Sequence, residues 1–316
     1  MKFAGAVWAA LRGKRSAARG FNIEGDNTVA TQLFQPKAPP GSPSWFLEMV
    51  EQSTSRPQME VVELTPALAK FMLDVNADNR SIRKAKVVQY ASDMAHGRWV
   101  LNGEPIIVSR DGNLNDGQHR CLAVIDSNTP VPVCLMFGVE RETRLTVDQG
   151  AMRSASDFLH MDGVPNSALS AAIARMVIAY EYSRGLNINQ ANYLSSAEIR
   201  ERVATDPAIA TAATFGTSNH TYSKKFAAGS LVGFAFYVLG HIDKADAKSF
   251  MERVCRGDGL KMKDPAHTLR EKLMSEGRLP RDRKIALILK AWNFHRRGMK
   301  VAAGSLSKDL PFPALL

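Results

Sequence analysis

The stretch LNGEPIIVSRDGNLNDGQHRCLAVIDSNTPVPV, residues 101–133, decides how the first half of this chain folds. Pro105 precedes the β-branched run Ile106-Ile107-Val108. Arg110-Asp111-Gly112-Asn113 then holds the Asp-Gly pair that a tight hairpin turn favours. The return strand, Asn113 to Asn115, is predicted to be very short. Asp116 is placed to accept a hydrogen bond from the N–H of Gln118 or His119, capping a helix from Gly117 to about Asp126. Pro130 to Val139 (PVPVCLMFGV) carries the strongest strand signal in the chain.

Upstream, Glu60–Leu64 (EVVEL) reads as a short strand punctuated by Thr65-Pro66. Ser81 is expected to cap a helix whose apolar residues Ile82, Ala85, Val88, Ala91 and Ala95 recur at three- and four-residue spacing, with Gly97 as its stop. Strand, helix, hairpin, helix, strand in this order predicts a small mixed α/β domain. Residues 35–58, rich in Pro, Ser and Gly, read as a linker ahead of it. From Ser154 onward the texture turns helical. Ser167–Tyr182, Ser196–Ala204, Lys225–Leu239, Asp243–Arg256, Ala266–Met274 and Asp282–Arg297 all show stripes of period 3.6. The expected fold class is therefore α+β, a small α/β domain followed by an all-α helical domain. The expected divisions are a basic tail and linker over 1–58, the α/β domain over 59–155 and the helical domain over 156–316.

A composition of 45% hydrophobic and 23% charged residues over 316 positions excludes disorder as the main theme. No run of eighteen or more apolar residues occurs, so no membrane-spanning helix and no membrane partner are expected. The opening MKFAGAVWAALRGKR lacks small residues where a cleavage site would lie and reads as a basic amphipathic tail. The net charge of +10 belongs to the ends. Residues 1–20 hold five basic and no acidic side chains, and residues 251–316 hold fifteen Lys/Arg against seven Asp/Glu. Such ends suit a polyanion, and DNA is the expected partner. Cys121, Cys134 and Cys255 are too scattered for a disulfide framework, which implies a reducing, cytoplasmic setting. The seven histidines show no ligand spacing for zinc, and no P-loop is present.

The chemistry converges on Asn115-Asp116-Gly117-Gln118-His119-Arg120. A glycine opening a helix lets a ligand approach the backbone, and first-turn N–H groups attract anions. In that turn Arg120 can fork onto a phosphate and His119 can donate or relay a proton. Asp116 can cap the helix or hold a magnesium ion brought by the phosphates. Read as facing a ligand, Arg120 is expected to be removable without loss of the fold. The competing reading of the same turn is structural.

Residues Val61 to Val139, through the core quoted above, resemble the N-terminal domain of the ParB/sulfiredoxin superfamily in its Asp-Gly-Gln-His-Arg variety. The resemblance covers about a quarter of the chain. It implies that the strand-to-helix turn binds the phosphates of a nucleotide, ATP, CTP or ADP, as the Mg2+ complex, through Gly117, His119 and Arg120. Sulfiredoxin needs a cysteine immediately before its His-Arg, and here that place is Gln118, so sulfinic-acid repair is not expected. The Gly-Glu-Arg-Arg version of ParB is also absent, which leaves the base open. Thr146–Leu159 and Leu287–Asn293 are similar to segments that accompany this domain in uncharacterised phage and prophage proteins, which implies a bacterial host cell.

Asp148, Gln149 and Arg153 flank Gly150 at a predicted turn able to close over such a ligand, although Ser154 or Asp157 can equally cap the helix that follows. For phosphotransfer, Glu63 and Glu104 are the candidate general bases, beside His119. Arg281, Arg283, Lys284, Lys290, Arg296 and Arg297 surround the apolar set of the last predicted helix and are the candidate nucleic-acid contacts. Trp292 in that set is expected to be core. The function expected is nucleotide binding with hydrolysis or phosphotransfer in phage or mobile-element DNA metabolism, with a homo-oligomer left open. The alternative is a DNA-binding regulator without turnover. No acidic cluster suggests a nuclease.

Overall fold

The run PVPVCLMFGV lies inside a four-stranded sheet in the computed structural model, which describes residues 36–76, 81–145, 153–183, 193–276 and 278–306. Four strands make the sheet: β1 (Gln58–Leu64), β2 (Ile106–Ser109), β3 (Leu114–Asp116) and β4 (Val131–Val139), in the order β1-β4-β2-β3. β4 runs antiparallel to β1, with Val61 opposite Cys134, and parallel to β2, with Ile106 opposite Leu135. A parallel neighbour needs a crossover, and the helix after β3 provides it. The β2–β3 hairpin turns at Gly112 (φ 76), as the Asp-Gly pair requires.

Period-2 alternation places Val62, Leu64, Val131, Val133, Leu135, Phe137, Ile106 and Val108 in one buried cluster. Four helices cover it: α1 (Pro43–Gln52), α2 (Pro66–Asp74), α3 (Lys84–Ala95) and α4 (Gln118–Ser127). The supposed linker is thus corrected. Ser42 caps α1 by accepting from the Trp45 N–H, Pro43 sits in its first turn, and Trp45 and Phe46 stand edge-on to Phe137 at 5.8 and 5.6 Å. Thr65-Pro66 ends β1 and also starts α2 in the same way. The helix expected from Ser81 begins only at Lys84. Its inward side is Val87, Tyr90, Ala91 and Met94, while Ile82 and Val88 are exposed.

The chain divides into two compact units, residues 1–150 and 151–316. In the second unit every described regular element is helical: α5 (Ala155–Met161), α6 (Ser167–Ser183), α7 (Ser196–Thr205), α8 (Pro207–Ser223), α9 (Gly229–Gly240), α10 (Lys244–Arg256), α11 (Pro265–Ser275) and α12 (Arg281–Arg296). α9 is buried along nearly its whole length, and its GSLVGFAFYVLG sequence is apolar on all sides. Gly229 and Gly233 let it approach α8. A Cβ on Gly216 would stand 2.3 Å from the Gly229 carbonyl oxygen. α12 also runs through this core, with Ile285 to Leu289 buried in succession.

Candidate functional site

Gly117 takes φ 106 and is the N-cap of α4 with no side-chain cap. Only glycine suits this position, because a Cβ would lie 2.7 Å from a side-chain carbon of Ile106. The space that the sequence reserves for a ligand beside Gly117 is on this side filled by β2. Asp116 does not cap the helix. Its Oδ2 accepts from Arg120 Nη2 at 2.6 Å, one turn on, because the left-handed turn at Gly117 separates the carboxylate from the first-turn amides. Arg120 also donates to the carbonyls of Glu104 (2.6 Å) and Pro105 (2.8 Å). The guanidinium is 7% exposed and ties the segment before β2 to the first turn of α4, so it is part of the fold, contrary to the expectation that it could be removed freely.

His119 is 5% exposed and its Nε2 accepts from the Arg83 backbone N–H at 3.0 Å. The proton therefore sits on Nδ1 of a neutral ring, and Nε2 is not the donor of a proton relay. This bond satisfies the start of α3, whose N-cap residue Arg83 supplies no side-chain cap. Asn115 uses its carboxamide fully: Nδ2 donates to the Glu140 carbonyl (2.8 Å) and to Thr143 (3.1 Å), and Oδ1 accepts from Arg141 (3.0 Å). These bonds fasten β3 to the 3-10 turn Arg141–Leu145, from which the second motif continues.

Gln118 differs from its neighbours. It is 8% exposed at the first position of α4, yet its carboxamide makes no hydrogen bond to any described residue. Its amide atoms are not wholly enclosed and so can meet solvent or a ligand. The first intrahelical bond runs from the Cys121 N–H to the Gly117 carbonyl at 3.0 Å, so the amides of Gln118 and Arg120 lie ahead of the ladder and meet no described acceptor.

The remaining candidates are dispersed. Glu104 is exposed and adjoins the turn through its carbonyl. Glu63 is exposed on β1, at the far edge of the sheet from β3 and so about 14 Å away at ordinary strand spacing. Asp148 and Gln149 lie outside the described residues. Arg153 is exposed in the second unit, and the helix after it opens with a capping box in which Ser154 and Asp157 exchange hydrogen bonds, holding the Asp157 carboxyl below its usual range.

On α12, Lys284 donates to the Phe226 carbonyl at 2.7 Å and Lys290 lies 5.9 Å from the Phe294 ring centre. Burial lowers both pKa values. Arg296 bridges Asp243 and Asp246, and Arg283 has internal interactions of its own. Arg281 and Arg297 are exposed. Of the six, Lys284 and Arg296 are held by internal acceptors, while Arg283 and Arg296 are exposed as well, and Trp292 is fully buried.

Burial pushes the Cys121 and Cys255 thiols up to about 12. At pH 8 each is then about 10⁻⁴ thiolate, and an aromatic disulfide reagent is expected to leave both unmodified until the protein is unfolded. Rapid labelling of either in native protein would contradict this burial.

No protein-family model, no curated protein and no solved structure matches the chain. Among the described residues no three His, Cys, Asp or Glu side chains gather as a metal site, and no helix is long and apolar enough to cross a membrane. Sequence reasoning did not find the backbone partners of Arg120 and His119, since carbonyl and N–H groups leave no signature in residue identity.

Proposed function

We propose that the turn at Gly117–Arg120 binds the phosphates of a nucleotide and that the chain works as a nucleotide-dependent switch in DNA metabolism. The observation that carries this reading is the Gln118 carboxamide, which makes no hydrogen bond to a described residue and stands beside first-turn amides of α4. A phosphate oxygen there would gain N–H donors from the backbone and from Gln118 together with the positive end of a ten-residue helix. This donor set fits an anion. Arg120 and Asp116 position the turn, and a magnesium ion would arrive with the phosphates.

The resemblance to the ParB/sulfiredoxin superfamily supports the same ligand class and suggests a phage or mobile-element setting. Binding without turnover is favoured over phosphotransfer, because His119 Nε2 is occupied as an acceptor and Glu63 lies far across the sheet. Glu104 is the one candidate base adjoining the turn, through its carbonyl.

Calorimetric titration with the magnesium complexes of ATP, CTP, ADP and GTP tests the proposal. One of them is expected to bind, and Gln118→Ala is expected to weaken it about tenfold, the loss of one hydrogen bond to a charged group. The melting midpoint should change little, since no internal bond is lost. Absence of binding by all four at millimolar concentration refutes the reading.

A further inference from the structure

We infer that the second unit binds single-stranded nucleic acid on the surface made by the end of α8, Lys224-Lys225 and the outer side of α10. This rests on the nucleic-acid half of the preceding reading and places the contact away from α12. Tyr222 is 50% exposed, and the Arg256 guanidinium carbon stands 5.2 Å from its ring centre. Arg256 is held there by Asn219 Oδ1 at 3.4 Å and Glu252 at 3.9 Å. A tyrosine braced by an arginine is a stacking platform that needs no rearrangement to accept a base, and stacking tolerates any base.

Beside the pair lies an open depression of about 330 Å³ lined by Lys248, Ser249, Glu252, Arg253, Arg256 and Asp258, with Ala245. Lys248 and Arg256 are eight residues apart on α10, about 12 Å along its axis. Lys224, Lys225 and Lys248 are exposed and, with Arg256, outnumber Glu252 and Asp258, while Arg253 is paired with Asp264. A flexible anion crossing here meets several cations together with an aromatic face. An acidic peptide would use the cations and leave the platform unused. α12 offers less, because Lys284 and Arg296 are spent on internal acceptors.

Fluorescence anisotropy with a labelled oligothymidylate tests the assignment on the full chain. Binding is expected, and Tyr222→Ala should weaken it about tenfold, within the range for loss of one stacked base. Lys225→Glu with Lys248→Glu should weaken it further and flatten the slope of log affinity against log salt by about 1 to 2. Far-ultraviolet circular dichroism should be unchanged, because these side chains are exposed. No binding, undiminished binding by both variants, or loss of affinity only on reversing Arg281 and Arg297 overturns the assignment. A chain that binds the oligonucleotide but no free nucleotide refutes the preceding reading alone, and the opposite result refutes this one alone.

Discussion

Arg120→Ala is expected to destabilise the first unit by about 3–5 kcal/mol, the cost of removing one partner from a buried ion pair. The pair is only 7% and 18% exposed, and the change takes the guanidinium away from three acceptors at once: the Asp116 carboxylate and the carbonyls of Glu104 and Pro105. For a unit of this size the melting midpoint should fall by about 10 °C. Arg120→Lys should recover little, since one ammonium cannot reproduce a fork that reaches three oxygens. Combining Arg120→Ala with Asp116→Asn should cost less than the sum of the two single changes, because the two side chains share one ion pair. Thermal unfolding followed by circular dichroism reads all three. A variant that keeps its midpoint and loses only nucleotide affinity would return the guanidinium to the ligand.

Gly216→Ala is expected to cost about 3 kcal/mol, at the upper end of the range for overpacking. The added Cβ would fall 2.3 Å from the Gly229 carbonyl oxygen, and backbone on a neighbouring helix cannot turn aside as a side chain can. Gly233→Ala should cost a similar amount, with Ile173 Cδ1 at 2.5 Å and the Ala212 carbonyl oxygen at 2.6 Å from the new carbon. Gly240→Ala, where nothing lies within 4 Å, is the control and should be neutral or slightly stabilising. Denaturant midpoints measured on the three variants check the order. Equal effects at all three positions would mean that α8 and α9 do not meet through their backbones.

The sheet and most helices were legible because burial imposes period 2 or 3.6 on the residues that carry it. β4 and the Asp-Gly hairpin are the clearest cases. α8 was not, because PAIATAATFGTSNHTYS is rich in small residues and has no apolar stripe, and its close contact with α9 depends on the absence of side chains. α1 was lost to its own opening: Ser42-Pro43 is at once a breaker and a helix start, and Trp45, Phe46, Met49 and Val50 were the better guide. At the site, the glycine was identified for one reason and required for another. The motif marked it as leaving room for a ligand, but its contact with Ile106 depends on tertiary structure. Arg120 shows the same limit, since residue type cannot tell a guanidinium that faces a ligand from one that holds a loop.

The burial of α1 bears on how the α/β half could ever be passed between proteins as a module. A recombination event that cut the gene just before Met59, where the sequence pattern starts the α/β domain, would strip Phe137 of Trp45 and Phe46 and leave an oily wound on the sheet. The transferable unit has to include the sixteen residues from Lys37, whose N–H donates to Glu48, through Gln52.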